Sequence, residues 1–328
     1  MKKYILLAIK IFISCLLLIY LLSMIPLADI LSSLKSAGIF FVLIGLILSA
    51  AVVFFSAAET RCLTRIQGMH LSVFGIVKIH LATTFYSLFL PGILSGGLVK
   101  WYMLSKNESK FSAASVVAVN RFLELFFIVL IGLFFFSAAP FTSQGHKLAV
   151  VWLFVGLFMA FIYLILFNKR LLEFSQQILL NGLLPKFLAS MAGRFMTAVK
   201  QFQNLQLKQH AQIVGLLLLY HGIGILVFFC FAKSLNLEID FWVIGWVRSA
   251  VVISVMFPIS IAGLGIRESL LVFLLNQYGV PPHDSIALSF LLFSRNLLFA
   301  CIGGVLEFKD FAFGKKKRNR NLSNVPSR

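Results

Sequence analysis

Long apolar runs recur along this chain, and they leave it few ways to fold. A bilayer's hydrocarbon core is about 30 Å thick and takes about 20 apolar residues to cross as a helix. Six stretches meet that length without interruption: residues 4–25, 38–58, 111–139, 148–167, 211–232 and 284–306. Inside lipid the backbone has no water to bond, so runs of this kind are restricted to helices. The expected fold is all-α, a polytopic integral membrane helical bundle. Composition agrees, with 60% of residues hydrophobic and 12% charged, against roughly 25% charged in a soluble chain. No separate soluble domain is expected. Residues 1–308 read as one transmembrane domain, and 309–328 as a basic cytoplasmic tail.

Two further apolar stretches, 71–105 and 241–280, are broken near their middles. The first contains Pro91-Gly92 and Gly96-Gly97, and the second Pro258 and Gly263-Leu264-Gly265. Proline lacks the N–H donor and glycine is entropically poor in a helix, so hairpin breaks are expected at Pro91, Gly96, Gly97, Pro258, Gly263 and Gly265. Charge decides whether these stretches cross. Segment 168–210 carries Lys169, Arg170, Lys186, Arg194, Lys200 and Lys208 against one acid, Glu173, and the tail is strongly basic. Both belong on the cytoplasmic side by the positive-inside rule, as do the N-terminus and the loop holding Arg61 and Arg65. Following the spans from these anchors, 71–105 enters and leaves on the cytoplasmic side, while 241–280 opens to the exterior. Twenty Lys/Arg then lie inside, Lys100, Lys106 and Lys110 among them, and three outside, Lys35, Lys147 and Lys233. Two re-entrant broken-helix hairpins from opposite faces form an inverted repeat of the transporter kind. Each is followed by a span with an arginine, Arg121 or Arg295. The competing reading is two ordinary kinked helices with misplaced loops.

Net charge of +18 would suggest nucleic acid in a soluble protein. Here the charge lies in short loops and tails between apolar spans, which points to orientation and anionic lipid instead. Cys15, Cys62, Cys230 and Cys301 have no metal-ligand spacing, so neither a disulfide nor a metal is expected. The run 4–25 is too long for a signal-peptide core and reads as an uncleaved span. Within 171–210, Leu188, Met191, Phe195, Val199 and Phe202 recur at helical spacing. That pattern suits an amphipathic helix in the headgroup region or a linker helix packed on the bundle.

Ionisable groups within spans are costly and are functional candidates by default. Arg121 and Glu124 are three apart, so they share a helix face and can pair. Arg267-Glu268 opens a half-helix that begins inside the membrane. Such a helix leaves its first N–H groups unpaired and its positive dipole end exposed. Two of these ends, with Lys100 and Arg267 beside them, make an anion cradle to which Arg121 and Arg295 add charge. The expected substrate-binding set is Lys100, Arg121, Glu124, Arg267, Glu268 and Arg295. Lys78, His80 and His221 are weaker candidates, the last reading as a core histidine. No catalytic residue, metal or cofactor is expected, because no G-x-S-x-G, HExxH, P-loop or Asp-rich metal motif is present.

Pro258-x-Ser-x-x-Gly-Leu-Gly-Ile-Arg-Glu268 and Pro91-Gly-x-x-x-Gly-Gly-x-x-Lys100 resemble the two motifs of the lysylphosphatidylglycerol synthase transmembrane family. The likeness runs from the first span to the last. Leu98 stands where members of that family often carry an acid. The resemblance implies a flippase-like membrane domain of a bacterial or archaeal cytoplasmic membrane. Since only a basic tail follows Leu306, it implies translocation without the aminoacyltransferase domain. The expected function is movement of a phosphate-bearing lipid (anionic, aminoacylated or polyprenyl-linked) between leaflets, with membrane lipids as partners. Two other classes compete: a membrane-embedded assembly partner or enzyme of lipid or polysaccharide synthesis, and an ion-coupled carrier of a small anion.

Overall fold

Uninterrupted apolar runs become long helices, and broken runs become pairs of short ones. The computed structural model describes residues 26–89, 95–106, 109–140, 145–178, 186–256 and 263–323. The expected span 4–25 and the hairpin prolines Pro91 and Pro258 lie outside the described residues. In chain order the helices are α1 (Leu27–Lys35), α2 (Ile39–Ile66), α3 (Val73–Phe89), α4 (Ser95–Leu104), α5 (Lys110–Ala138) and α6 (Gly145–Phe167). They continue with α7 (Lys169–Ile178), α8 (Lys186–Lys200), α9 (Leu207–Ser234), α10 (Phe241–Met256), α11 (Ile266–Asn276) and α12 (Pro282–Ser323). No strand occurs among the described residues.

Among the described residues, five helical segments are long and apolar enough to cross a membrane: Ile39–Ile66, Lys110–Ala138, Ala149–Leu166, Leu207–Ser234 and Pro282–Lys309. A 28-residue helix such as α2 reaches about 42 Å, beyond the hydrocarbon core. It therefore carries Glu59, Thr60 and Arg61 past the apolar run that ended at Ala58. The outer surface is apolar, as on α6, where Val150, Phe154, Leu157 and Phe161 are all exposed. Such a surface is at home in lipid and not in water.

The helices pack in a recurring pattern. α2 lies along α9, α3 along α12, and α10 along α5, while α4 touches α3 and α5 as α11 touches α10 and α12. Small residues permit the close approaches. A Cβ on Gly303 of α12 would collide with the backbone of Leu81 in α3, and one on Gly245 of α10 with the ring of Phe135 in α5.

Loops gather in two groups. In the first, Gly38 N–H donates to Ser234 O at 2.7 Å and Ser33 Oγ to Asp284 Oδ1 at 2.7 Å. In the second, Gln67 Nε2 donates to Ala198 O at 2.7 Å, and the Arg194 guanidinium lies 5.5 Å from the centroid of the Phe111 ring. Thus α8 meets both the turn before α3 and the start of α5, with Val199 and Phe202 buried. The basic segment is packed on the bundle at this end.

Candidate functional site

Ser49, Ser56, Glu59 and Thr60 of α2 lie on neighbouring faces of one helix, Ser56 seven residues after Ser49, and Glu59 and Thr60 three and four after Ser56. Ser49 and Ser56 of that stripe line an internal cavity of about 250 Å³, and Glu59 and Thr60 are tied to two of its lining residues, Asn120 and Lys100. His80 from α3, Gly96, Gly97 and Lys100 from α4, Asn120, Arg121 and Glu124 from α5, Tyr220 from α9, and Arg295 and Asn296 from α12 also line it. The first turn of α4 faces the cavity through its paired glycines, which keep side chains out of the way.

At the floor of this cavity, Lys100 is 8% exposed and donates to Asn120 Oδ1 at 2.5 Å and Thr60 Oγ1 at 3.1 Å. Asn120 Nδ2 in turn donates to Glu59 Oε2 at 2.6 Å and Glu124 Oε1 at 3.3 Å. One amide therefore bridges an ammonium and two carboxylates. His80 stands between Ser56 and Thr60, 3.3 Å from each hydroxyl. The Arg121–Glu124 pair closes at 3.4 Å, with the Arg121 side chain 56% exposed. Glu59, 1% exposed, retains one carboxylate oxygen without a partner. Lys100 was counted above with the cytoplasmic loop charges. It belongs instead to the bundle interior, because α4 turns it towards Asn120.

Four of the six expected binding residues thus come together: Lys100, Arg121, Glu124 and Arg295. Arg267 and Glu268 do not join them and are closed into a separate buried cluster at the start of α11. Gly263 and Gly265 adopt φ of +77° and +84°, a region open to glycine and costly for other residues. The turn they make directs Glu268 back onto its own helix terminus, where Oε2 accepts from Gly265 N–H at 2.7 Å. Arg267 Nη2 donates to Glu268 Oε1 at 2.7 Å, and Nε to Ser289 Oγ at 2.6 Å. The hydroxyl of Ser289 donates to the same carboxylate oxygen at 2.6 Å. The Gly265 N–H and the Nε and Nη2 of Arg267 are thus taken up within the protein.

Glu59, Asn120 and Tyr220 were missed from the sequence. The signal for the first was the polar stripe on α2, and for the second an asparagine one turn before Glu124. Lys78 lines a separate groove of about 600 Å³ with Lys106, Tyr86 and Glu307. His221 is buried with both ring nitrogens unpartnered, its ring against Tyr220 at a centroid distance of 4.6 Å. Among the described residues no group of His, Cys, Asp and Glu is placed to hold a metal ion.

Apolar spanning helices around a charged internal cavity define a multi-pass membrane protein with a polar chamber in its bundle. The family described as lysylphosphatidylglycerol synthase TM region matches residues 7–304, nearly the whole chain, and the protein belongs to that family. The family is a membrane domain often linked to lipid flipping. No curated protein and no solved structure was found to match the chain.

Proposed function

We propose that this protein translocates a phosphate-bearing lipid between the leaflets of the cell membrane, holding the headgroup in the cavity while the acyl or prenyl tails stay in lipid. The observation that carries the reading is the cavity itself. A chain with this much apolar surface keeps Lys100, Arg121 and Arg295 around one interior space, where ion desolvation is costly without an anionic occupant. Those cations and the first-turn N–H groups of α4 replace the headgroup's water. We read their role as transport of the bound lipid.

Two re-entrant hairpins in an inverted repeat supply the alternating halves of this mechanism. Exchanging α2–α5 with α9–α12 preserves most of the helix contacts, since α3 on α12 becomes α10 on α5 and α2 on α9 maps onto itself, although α9 on α5 has no counterpart of similar extent. The loop contacts point the same way. The turn before α3 and the start of α5 both meet α8, whereas the end of α9 and the start of α12 both meet the α1 region. With α8 on the cytoplasmic side, both chain termini are cytoplasmic.

The test is translocation of a fluorescent anionic phospholipid in proteoliposomes, read by an impermeant quencher. Protein-dependent exchange that is lost in well-folded Arg121→Gln and Arg295→Gln is expected. Exchange no faster than in protein-free vesicles would end the proposal. Uptake of radiolabelled inorganic phosphate in its place would favour a small-anion carrier.

A further inference from the structure

The bundle interior holds more positive charge than its acids can balance. Eleven acids occur in the whole chain, and Glu59, Glu124 and Glu268 are the ones placed in the interior. Of the others, Asp29, Glu173, Glu238, Asp240, Asp284, Glu307 and Asp310 lie in loops, in the peripheral α1 and α7, or at and just past the ends of the apolar segment Pro282–Lys309, and Glu108 is outside the described residues. Against the three stand, among the described residues, five cations: Lys100, Arg121, Arg248, Arg267 and Arg295. Lys100 is tied through Asn120 to Glu59 and Glu124, Arg121 pairs with Glu124, and Arg267 with Glu268. Arg248 and Arg295 are left over. Arg295 donates to the neutral Asn296 Oδ1 at 2.7 and 3.2 Å. Arg248, 7% exposed, makes no hydrogen bond among the described residues, and its Nη1 is buried without a partner.

These two arginines are close enough to act electrostatically on each other and on the Tyr220 hydroxyl. Tyr220 and Arg295 line the cavity, and the Arg248 guanidinium lies against Gly224, one helical turn from Tyr220. Only a residue without a side chain leaves it that place, since a Cβ on Gly224 would run into the guanidinium.

We infer that Arg295 and Tyr220 on the cavity wall, with Arg248 behind them against Gly224, form a subsite for a dianionic terminal phosphate, so that the lipid carried is a phosphomonoester. Five cations against three carboxylates leave two positive charges. A phosphomonoester carries about −1.5 to −2 at pH 7 and neutralises them. A phosphodiester headgroup brings a single negative charge and leaves one guanidinium unbalanced in a low-dielectric interior, and an aminoacylated one leaves more. Two guanidinium forks also match the three free oxygens of a terminal phosphate, of which a diester lacks one.

The inference rests on the lipid-translocator reading, and binding separates the two because it needs no transport. Purified full-length protein in detergent is titrated with dioctanoyl phosphatidate, dioctanoyl phosphatidylglycerol and inorganic phosphate. Phosphatidate should bind about 10-fold or more tightly than phosphatidylglycerol, as expected for added charge-assisted bonds, and free phosphate far more weakly than phosphatidate. Arg248→Gln and Arg295→Gln should each erase the preference, and Arg295→Gln, which removes a cavity cation, should also weaken binding of both lipids. Gly224→Ala keeps every charge but pushes the guanidinium aside, and should reduce the preference in the same direction. Equal affinity for the two lipids, or a preference that survives in well-folded Arg248→Gln and Gly224→Ala, would overturn the subsite. Free phosphate binding as tightly as phosphatidate would overturn its assignment to a lipid. Arg248-dependent phosphatidate binding by a protein that moves no lipid would sustain the subsite and sink the translocator. Translocation without any monoester preference would do the reverse.

Discussion

Replacing Lys100 by methionine keeps the length and bulk of the side chain and removes its charge. Two hydrogen bonds from a charged donor go with it, those to Asn120 Oδ1 and Thr60 Oγ1. Bonds to charged groups contribute about 1.5–3 kcal/mol each, and breaking a buried charge constellation from one side costs about 3–5 kcal/mol. Lys100→Met should therefore destabilise the protein by about 3–5 kcal/mol, since Glu59 and Glu124 then face each other through Asn120 with no cation between them. Glu59→Gln should cost less, about 1–3 kcal/mol, because Lys100 keeps Asn120 and Glu124 nearby. In the double variant both the ammonium and one carboxylate are gone, so the total should fall short of the sum by about 1–3 kcal/mol. Reversible unfolding by dodecyl sulfate in mixed micelles, followed by tryptophan fluorescence, measures all three. Additivity within about 0.5 kcal/mol would show that Lys100 and Glu59 are not coupled, and the bridging role given to Asn120 would be wrong.

Arg267→Ala should cost about 3–5 kcal/mol in the same assay, because Glu268 loses its counter-ion in a buried cluster; a variant as stable as the parent would refute that pairing. On a background without native cysteines, single cysteines at Lys106 and Gln177 should be shielded from an impermeant thiol reagent in intact cells, while one at Lys233 reacts. External labelling at Lys106 would remove the first re-entrant hairpin.

Much of the fold could be read directly from the chain, because a bilayer reduces the problem to apolar length. Helix ends were harder. Residues 38–58 were read as a span that ends where Glu59-Thr60-Arg61 interrupts the apolar run, yet α2 continues to Ile66. An apolar count stops at the first polar cluster, whereas the helix stops where its backbone bonds do. Here Lys100 and Asn120, from two other helices, meet Thr60 and one carboxylate oxygen of Glu59. Lys100 shows the same limit from the other side. Positive residues near a span end are counted as loop charges, and only the orientation of α4 reveals that this one points inward. The cytoplasmic excess of Lys and Arg survives its removal.

The arginines show what local sequence does encode about a buried charge. Arg121 has Glu124 within a turn and Arg267 has Glu268 beside it, and in the structure each is paired with that acid. Around Arg248 the chain reads Ile244-Gly-Trp-Val-Arg-Ser-Ala-Val-Val252, and around Arg295 Leu291-Leu-Phe-Ser-Arg-Asn-Leu-Leu-Phe299, with no acid in either window. An arginine of that kind takes its counter-charge either from across the bundle or from a ligand. The interior acids are already engaged, Glu59 and Glu124 around Asn120 and Glu268 at the start of α11. The motif residue Arg267 draws attention because it opens a half-helix, but its partners are internal. Arg248, in the first arm of the second broken stretch, is with Arg295 a cation whose charge the protein leaves for something else to meet.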